Sequence, residues 1–312
     1  MPEEKKQPKI AVAIPCYNED ATIAKVISDF RSELPEADIF VFDNNSSDKT
    51  AEIARENGAS VFFERKRGKG YVMQKMFNVI NADIFVLVDG DDTYFASDVH
   101  KLLEPINDGK ADMIVGNRLL QKESGFSLSH RFGNWVFKLL LNYLFNAKFA
   151  DILSGYRVMS KEFYKNIPLL AKGFEIETEL TLQSLDRNYL IKEIPIQYKD
   201  RPAGSHSKIS KFKDGYKIIF TIISLLRDYR PTVFFSYIGS FFIIAGIFFG
   251  SIIIEEYYKT GFISRVPTAI LSIALVIVGV NAMISGLILS AINRRHRETE
   301  IMIKQTVNSS HL

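Results

Sequence analysis

Two charge-free stretches near the C-terminus constrain this chain more than any other feature. Residues 232–254 (TVFFSYIGSFFIIAGIFFGSIII) run 23 positions without a charged side chain, and residues 266–292 form a second such run. At 1.5 Å per residue the first makes about 35 Å of helix, enough to cross a hydrocarbon core of about 30 Å. The alternative, a pair of helices buried in a soluble core, fits runs of this length poorly. A short polar turn, Glu255 to Arg265, joins them, so they read as a transmembrane hairpin. Arg227 and Arg230 precede the first span and Arg294, Arg295 and Arg297 follow the second, whereas the turn carries only Lys259 and Arg265, offset by Glu255 and Glu256. Positive charge stays inside, which predicts a multi-pass protein of the cell membrane with its large N-terminal part and both termini in the cytoplasm. Gly246 and Gly250 form a small-xxx-small pair for close helix approach, and Asn281, deep in the second span, is expected to bond across helices or between subunits. Neither span holds an ionisable residue, which argues against a charged transport path.

The remainder, residues 1–210, reads as a soluble α/β protein. A net charge of +3 over 312 residues gives no electrostatic reason to expect nucleic acid as a partner. Cys16 is the single cysteine, so no intrachain disulfide forms, in keeping with a cytoplasmic setting. Met1 to Lys9 is polar and the apolar run from Ile10 is short, so a disordered tail (1–8) and no secretory leader are expected. Strand and helix signals then alternate: strands at Lys9–Ile14, Asp38–Phe42, Val61–Glu64, Ile84–Val88 and Met113–Val115, with helices at Ala21–Glu33, Ser47–Glu56, Gly70–Ile80 and Asp98–Asn107 between them. Ser46 or Ser47 is the expected N-cap of the second helix. Such alternation predicts a parallel sheet covered by helices. Two further segments, Phe132–Phe145 and Phe212–Leu226, present wide apolar faces beside polar or basic residues. Each suits either a core helix or a helix lying in the bilayer interface; the second leads directly into the first span, which favours the interface.

The run Ile84-Phe85-Val86-Leu87-Val88-Asp89-Gly90-Asp91-Asp92 carries the clearest chemistry. Five apolar residues make a buried strand, and three carboxylates gather at its C-terminal end, where open α/β sheets bind ligands. Such a cluster repels itself unless a cation sits among it. Hard divalent ions combine one or two carboxylates with substrate phosphate oxygens, which points to a metal-bridged nucleotide site. A solvated acidic turn is the plain alternative. Three other strand ends should reach the same edge: Ile14-Pro15-Cys16-Tyr17-Asn18-Glu19, Val41-Phe42-Asp43-Asn44-Asn45-Ser46-Ser47-Asp48, and the loop Arg65-Lys66-Arg67-Gly68-Lys69-Gly70. An aromatic ring, carboxylates and a Gly-Lys-Gly loop suit base stacking, ribose hydrogen bonding and approach to phosphate.

In this order the segments Pro15–Glu19, Asp43–Thr50 and Asp89–Thr93 resemble family 2 glycosyltransferases. Gly116-Asn117-Arg118, Asp151-Ile152-Leu153-Ser154-Gly155-Tyr156-Arg157 and Arg201-Pro202-Ala203-Gly204-Ser205-His206-Ser207-Lys208, followed by a membrane hairpin, are similar to the branch of dolichyl-phosphate mannose synthases and bacterial polyprenyl-phosphate glycosyltransferases. The resemblance spans roughly residues 9–292. It implies a GT-A nucleotide-diphospho-sugar transferase fold, a Rossmann-like mixed sheet flanked by helices, over 9–210. A juxtamembrane amphipathic helix (211–230), the hairpin (231–293) and a cytoplasmic tail (294–312) would follow. It further implies that Pro15, Tyr17, Glu19, Val41 and Asp43 hold the base and ribose of the donor, with Asp89 and Gly90 beneath the nucleotide. Asp91, with Asp89, would bind Mg2+ or Mn2+; Arg118 and Arg131 would bind the lipid phosphate, and Arg201 and Lys208 the donor diphosphate. Relatives in this branch can form tetramers, so a homo-oligomer enters as a partner. The mannose synthases usually carry Asp-Ala-Asp followed by Leu-Gln, where this chain has Asp-Gly-Asp-Asp-Thr, and a serine expected shortly after Arg131 is absent. UDP- and GDP-linked donors therefore both stay open.

The expected reaction moves a sugar from a nucleotide diphosphate to a polyprenyl (dolichyl or undecaprenyl) phosphate. A phosphate monoester has a second pKa of about 6, so the nucleophile is already ionised at neutral pH and needs no strong base. None of the five histidines sits in a triad-like pattern, which agrees. The cations Arg118, Arg131, Arg157, Arg201 and Lys208 would offset repulsion between the two anionic reactants, with a structural role as the alternative for Arg157. Glu175, Glu177 and Glu179 form a second acidic group, read either as sugar contacts or as a helix N-terminus favoured by its dipole. A processive polysaccharide synthase is the nearest rival, but the only tryptophan, Trp135, follows Phe132-Gly133-Asn134 and the usual Gln-x-x-Arg-Trp motif is missing. A non-catalytic nucleotide-binding membrane adaptor is the rival from another class; intact Asp89, Asp91 and Arg201 speak against it.

Overall fold

The computed structural model describes residues 7–118, 149–173, 176–200, 223–224 and 226–309. Arg131, Arg201, Lys208, Glu175, the segment Phe132–Phe145 and most of Phe212–Leu226 lie outside the described residues. The chain divides into two compact units, Met1–Tyr216 and Lys217–Leu312.

In the first unit seven strands form one sheet. They are β1 (Ile10–Cys16), β2 (Asp38–Asp43), β3 (Ser60–Phe63), β4 (Ile84–Leu87), β5 (Met113–Asn117), β6 (Arg157–Ser160) and β7 (Ile191–Pro195), in the order β3-β2-β1-β4-β6-β5-β7. The helices are α1 (Ile23–Glu33), α2 (Thr50–Glu56), α3 (Lys69–Val79), α4 (Val99–Asn107), α5 (Lys161–Asn166) and α6 (Ile176–Asp186). All four residues of β4 are buried, as expected for a strand covered on both faces. Alternate side chains serve opposite layers. Val12, Ile14 and Val86 pack with Ile27 and Phe30 of α1 and Leu102 of α4. Ala11, Ala13, Phe85 and Leu87 pack with Val72 and Met76 of α3, Phe163 of α5 and Leu180 of α6. Phe85 anchors the second layer, with ring centroids 5.2 Å from Phe77 and 5.0 Å from Tyr164.

The alternating pattern predicts parallel strands throughout, and β6 breaks it. It runs antiparallel to both β4 and β5, pairing Arg157 with Leu87 and with Val115. The sheet is therefore mixed, as the resemblance implies. Four residues after a loop carry no periodicity that could announce a strand direction; pairing between two distant strands decides it. Helix α2 also departs from expectation. It starts at Thr50, not Ser47, and neither serine caps it. The Ser46 hydroxyl accepts the Asn18 N–H (2.9 Å) and the Ser47 N–H goes to the Asn18 side-chain oxygen (2.8 Å), while Asp48 takes the N–H and hydroxyl of Thr50. A bond to a neighbouring strand end has displaced the local cap.

Registry aligns the working edge. Cys16 pairs with Asp43 and Asp43 with Phe63, so β1 to β3 end level, while β4 stops at Leu87 opposite Ala13 and leaves Asp89–Asp92 to lie along the same edge. Because β6 is reversed, its first residue arrives at that edge and brings residues 151–156 with it. Strand β5 ends there too, with Asn117 opposite Pro195. The order reverses between β2 and β4 on either side of β1, which is the switch point where α/β sheets open a crevice.

The second unit is a hairpin of α7 (Pro231–Thr260) and α8 (Val266–Ser309), each long and apolar enough to cross a membrane. Glycine lines the seam at seven-residue spacing, the repeat of a left-handed pair. A methyl on Gly239 would lie 2.6 Å from the Gly279 carbonyl oxygen, and one on Gly246 would lie 2.7 Å from Val276. The Ser272 hydroxyl donates to the Gly246 carbonyl (2.8 Å), and Gly250 also faces Ser272. Asn281 is exposed, turned away from this seam, so it makes no link between the two arms. Helix α8 does not stop at the end of the apolar run. It continues through the segment expected as a tail, with Arg294 and Arg295 paired to Glu298.

Candidate active site

Each of the three carboxylates after β4 is held differently. The Asp89 Oδ1 atom accepts from the Lys69 ammonium at 2.6 Å, and Lys69 also meets Glu177 Oε1 at 2.6 Å. Burial alone would lower the Lys69 pKa; Asp89 and Glu177 reverse the sign and hold it well above the ordinary lysine range. Asp91 is buried, and its Oδ1 accepts from the Thr93 hydroxyl (2.6 Å) and backbone N–H (3.3 Å). Asp92 sits at φ 55°, a left-handed position that an aspartate tolerates, and pairs with Lys199 (2.7 Å) and Lys25 (3.3 Å). Lysines thus supply much of the positive charge that the acidic cluster demands. Gly90 lies against Cys16: a methyl there would fall 2.7 Å from Sγ, and its carbonyl accepts from the Thr22 hydroxyl (2.7 Å).

The strand ends expected to hold a nucleotide are stitched together. Asn44 N–H donates to the Cys16 carbonyl, and the Asn44 side chain bridges the Lys66 carbonyl (2.6 Å) and the Gly68 N–H (2.8 Å). Asn18, at φ 55°, links to Ser46 and Ser47, and the Glu19 N–H donates to Thr50. The Arg67 guanidinium lies 5.1 Å from the centre of the Tyr17 ring. Pro15 and Tyr17 are half-buried, whereas Glu19 and Asp43 are buried, with Asp43 facing the Ser46 N–H. Val41 is fully buried in the core with Val12 and Ile14, so its side chain is out of a ligand's reach. The Gly-Lys-Gly loop differs from expectation. Methyls on Gly68 and Gly70 would lie 2.1 and 2.0 Å from the carbonyl oxygens of Lys172 and Ala171. These glycines admit the protein's own backbone, and the lysine between them is turned inward.

On the other side of the crevice Arg118 leaves β5 and grips Asp151 in two parallel bonds, Nε to Oδ2 at 2.8 Å and Nη2 to Oδ1 at 2.9 Å. Asp151 is fully buried, and its N–H and that of Ala150 donate to Glu193. Arg118 also lies 5.4 Å from the centre of the Tyr198 ring. Burial pushes the Tyr198 phenol up; Arg118 opposes the shift and the nearby Asp91 adds to it. Tyr198 has Arg118 on its face, and its segment leads to Asp91 through Thr93, whose hydroxyl and N–H donate to the Asp91 carboxylate. The backbone closes the same link, since Tyr94 bridges to Tyr198 and the Lys199 N–H donates to the Thr93 carbonyl (3.0 Å). Arg157 does not face this crevice: it is fully buried and hydrogen-bonded to backbone carbonyls.

The structure therefore brings Pro15, Tyr17, Glu19, Asp43, Asp89, Gly90, Asp91 and Arg118 to one sheet edge. Sequence reasoning missed Lys69 as the cation shared by Asp89 and Glu177, Asp151 as the partner of Arg118, and Tyr198 as the ring beneath Arg118. A buried Glu pair in the first turn of α6 was a weak signal for the first. Tyr198 had none, because its neighbours are brought by strand pairing. Among the described residues no group of three or more His, Cys, Asp or Glu is placed to hold a metal ion. The buried Asp91 carboxylate fits a hard cation that takes its other ligands from a diphosphate and water.

The sequence model described as Glycosyl transferase family 2 matches residues 11–167. The chain is 31% identical to the glycosyltransferase AglJ of Haloferax volcanii over 93% of its own length and 95% of that protein. It is 30% identical to the dolichyl-phosphate hexose transferase of the same organism, over 71% of this chain and 95% of that one. In fold it is similar to glucosyl-3-phosphoglycerate synthase of Mycobacterium tuberculosis, crystallised with Mn2+, UDP-glucose and phosphoglyceric acid. The TM-score is 0.57 at 23% identity, covering 70% of this chain and 80% of that one.

Proposed function

The chain belongs to glycosyl transferase family 2, and on that premise we propose that it is a membrane-anchored enzyme transferring a sugar from a nucleotide diphosphate to a polyprenyl phosphate, with inversion, at the cytoplasmic leaflet. One observation carries the reading: Arg118 lies over the ring of Tyr198, and the segment of that tyrosine is paired to Thr93 and Tyr94, with Thr93 bonded to the buried Asp91, at the switch point of the sheet. The dolichyl-phosphate hexose transferase it resembles supports the choice of acceptor.

Two anions must meet there. At 4 Å and an effective dielectric near 20, each pair of like charges costs about 4 kcal/mol. Arg118, oriented by Asp151, and Arg131 would bind the lipid phosphate. Arg201 and Lys208 would face the donor diphosphate. Tyr17 with Pro15 would stack on the base, uracil or guanine, and Glu19, Asp43 and Asp89 would take the ribose side above Gly90. A Mg2+ or Mn2+ ion held by Asp91 would supply positive charge to the departing diphosphate. The acceptor oxygen is ionised near neutral pH, so no protein group has to remove a proton, and a single displacement inverts the anomeric centre. The hairpin keeps the enzyme where its acceptor's chain must remain, and the arginines flanking the spans argue for the cytoplasmic side.

The test uses the full-length protein in lipid, with labelled UDP- and GDP-sugars and undecaprenyl or dolichyl phosphate, the product identified by mass spectrometry. Asp91→Asn and Arg118→Lys keep shape and most contacts. Each should lower lipid-sugar synthesis by about 100-fold or more, Asp91→Asn by removing the charge that would hold the cation and Arg118→Lys by removing the planar fork that Asp151 aims. Wild-type-like synthesis by either variant refutes the assignment.

A further inference from the structure

Arg157 is a fully buried guanidinium, and among the described residues no carboxylate is bonded to it. It donates from Nη2 to the Ile152 carbonyl (2.6 Å), from Nε to the Ser154 carbonyl (3.0 Å) and from Nη1 to the Thr181 hydroxyl (3.0 Å), with Met113 Sδ 3.6 Å from Nη1. Burial lowers its pKa to about 10, with Glu177 and Asp151 opposing the shift from a distance. A guanidinium buried without an ion pair is costly, and an apolar side chain would fill this space with less penalty. Stability alone is a poor reason to keep it.

Its bonds lead to the site from behind. The two carbonyls belong to residues 151–155, and each end of that segment grips one side of the crevice. At one end Asp151 holds Arg118 in two parallel bonds. At the other, Gly155 lies so close to Asp89 that a methyl would fall 2.2 Å from Oδ2, and its N–H donates to the Tyr94 hydroxyl (3.0 Å). We propose that Arg157, braced by Thr181 of α6, is a positioning residue that makes 151–155 a rigid bracket and so fixes the separation between Arg118 on the acceptor side and Asp89 on the donor side. This rests on the reading of Arg118 and Asp89 given above. Displacement chemistry depends steeply on such a separation, since a misplacement of about 1 Å can cost about 100-fold in rate.

Thr181→Val removes the bond to Arg157, together with the hydroxyl's bond to the Glu177 carbonyl one turn back, at nearly constant shape, and Arg157→Lys keeps the charge without the fork. Both are measured in the full-length protein. Sites are counted by calorimetric titration with UDP and with GDP in the presence of Mn2+, and transfer is followed from UDP-glucose, UDP-N-acetylglucosamine and GDP-mannose to undecaprenyl phosphate. Thr181→Val should bind nucleotide within about threefold of wild type while kcat per counted site falls about tenfold. That loss should shrink when it is repeated in an Arg118→Lys background, because positioning acts through the native guanidinium. A merely structural role would cost the same in both backgrounds. Equal losses, or transfer per site within twofold of wild type, overturn the bracket while leaving the function standing. Absence of lipid-linked transfer by the wild-type protein overturns the function, and the bracket with it.

Discussion

Lys69 holds two carboxylates that would otherwise repel each other inside the protein. It is nearly enclosed, 2.6 Å from each, and its raised pKa follows from their combined charge outweighing its burial. Removing one member of such a set leaves uncompensated buried charge, a loss of about 3–5 kcal/mol. Lys69→Met should lower the urea midpoint accordingly, with Lys69→Arg recovering part of the loss. The sign of the pH dependence follows from the raised pKa. The contribution is complete below the unfolded lysine value of about 10.4 and is lost only as pH climbs past it toward the folded value. A stability gap between wild type and Lys69→Met that closes between about pH 7 and 9 would show that Lys69 is not the charged partner. The Gly-Lys-Gly signature was visible in the sequence, but its meaning was not. The glycines serve close approach of residues 171–172, a contact about a hundred positions away.

Among the elements, β4 and the two long apolar helices were the most legible, because a strand covered on both faces and a helix of membrane-spanning length each leave an unbroken apolar run. Strand β6 was the least legible, since its antiparallel direction depends on neighbours that local pattern does not encode. The hairpin seam makes a checkable claim. Gly239, Gly246 and Gly279 each leave no room for a methyl, and in a bilayer, where water would not drive helix association, close packing would have to do so. Gly246→Val should separate α7 from α8 and lower the melting temperature of the detergent-solubilised protein. A similar change at Phe248, which is 62% exposed, should leave it unchanged. Equal effects at the two positions would mean that the glycines are incidental to the packing.

For the molecule as a whole, the arginines around the spans predict that the turn between α7 and α8 lies on the far side of the membrane from the chain's N-terminal unit. Ser264→Cys tests this in intact cells, because the single native cysteine, Cys16, is buried and gives little background. An impermeant maleimide should label the new thiol from outside; labelling only after lysis would reverse the orientation. The sequence by itself determined the strand-and-helix alternation, the two long apolar helices and the acidic end of β4, because burial periodicity, charge-free length and turn chemistry are local properties. Only the tertiary structure decided that Lys69 neutralises Asp89, that Asp151 orients Arg118, and that Arg157 is internal. The first two are pairings between side chains far apart along the chain, and the third depends on the packing of α6 over β6. They are chosen by sheet registry and by the need to satisfy a buried charge, and neither leaves a trace in nearby residues.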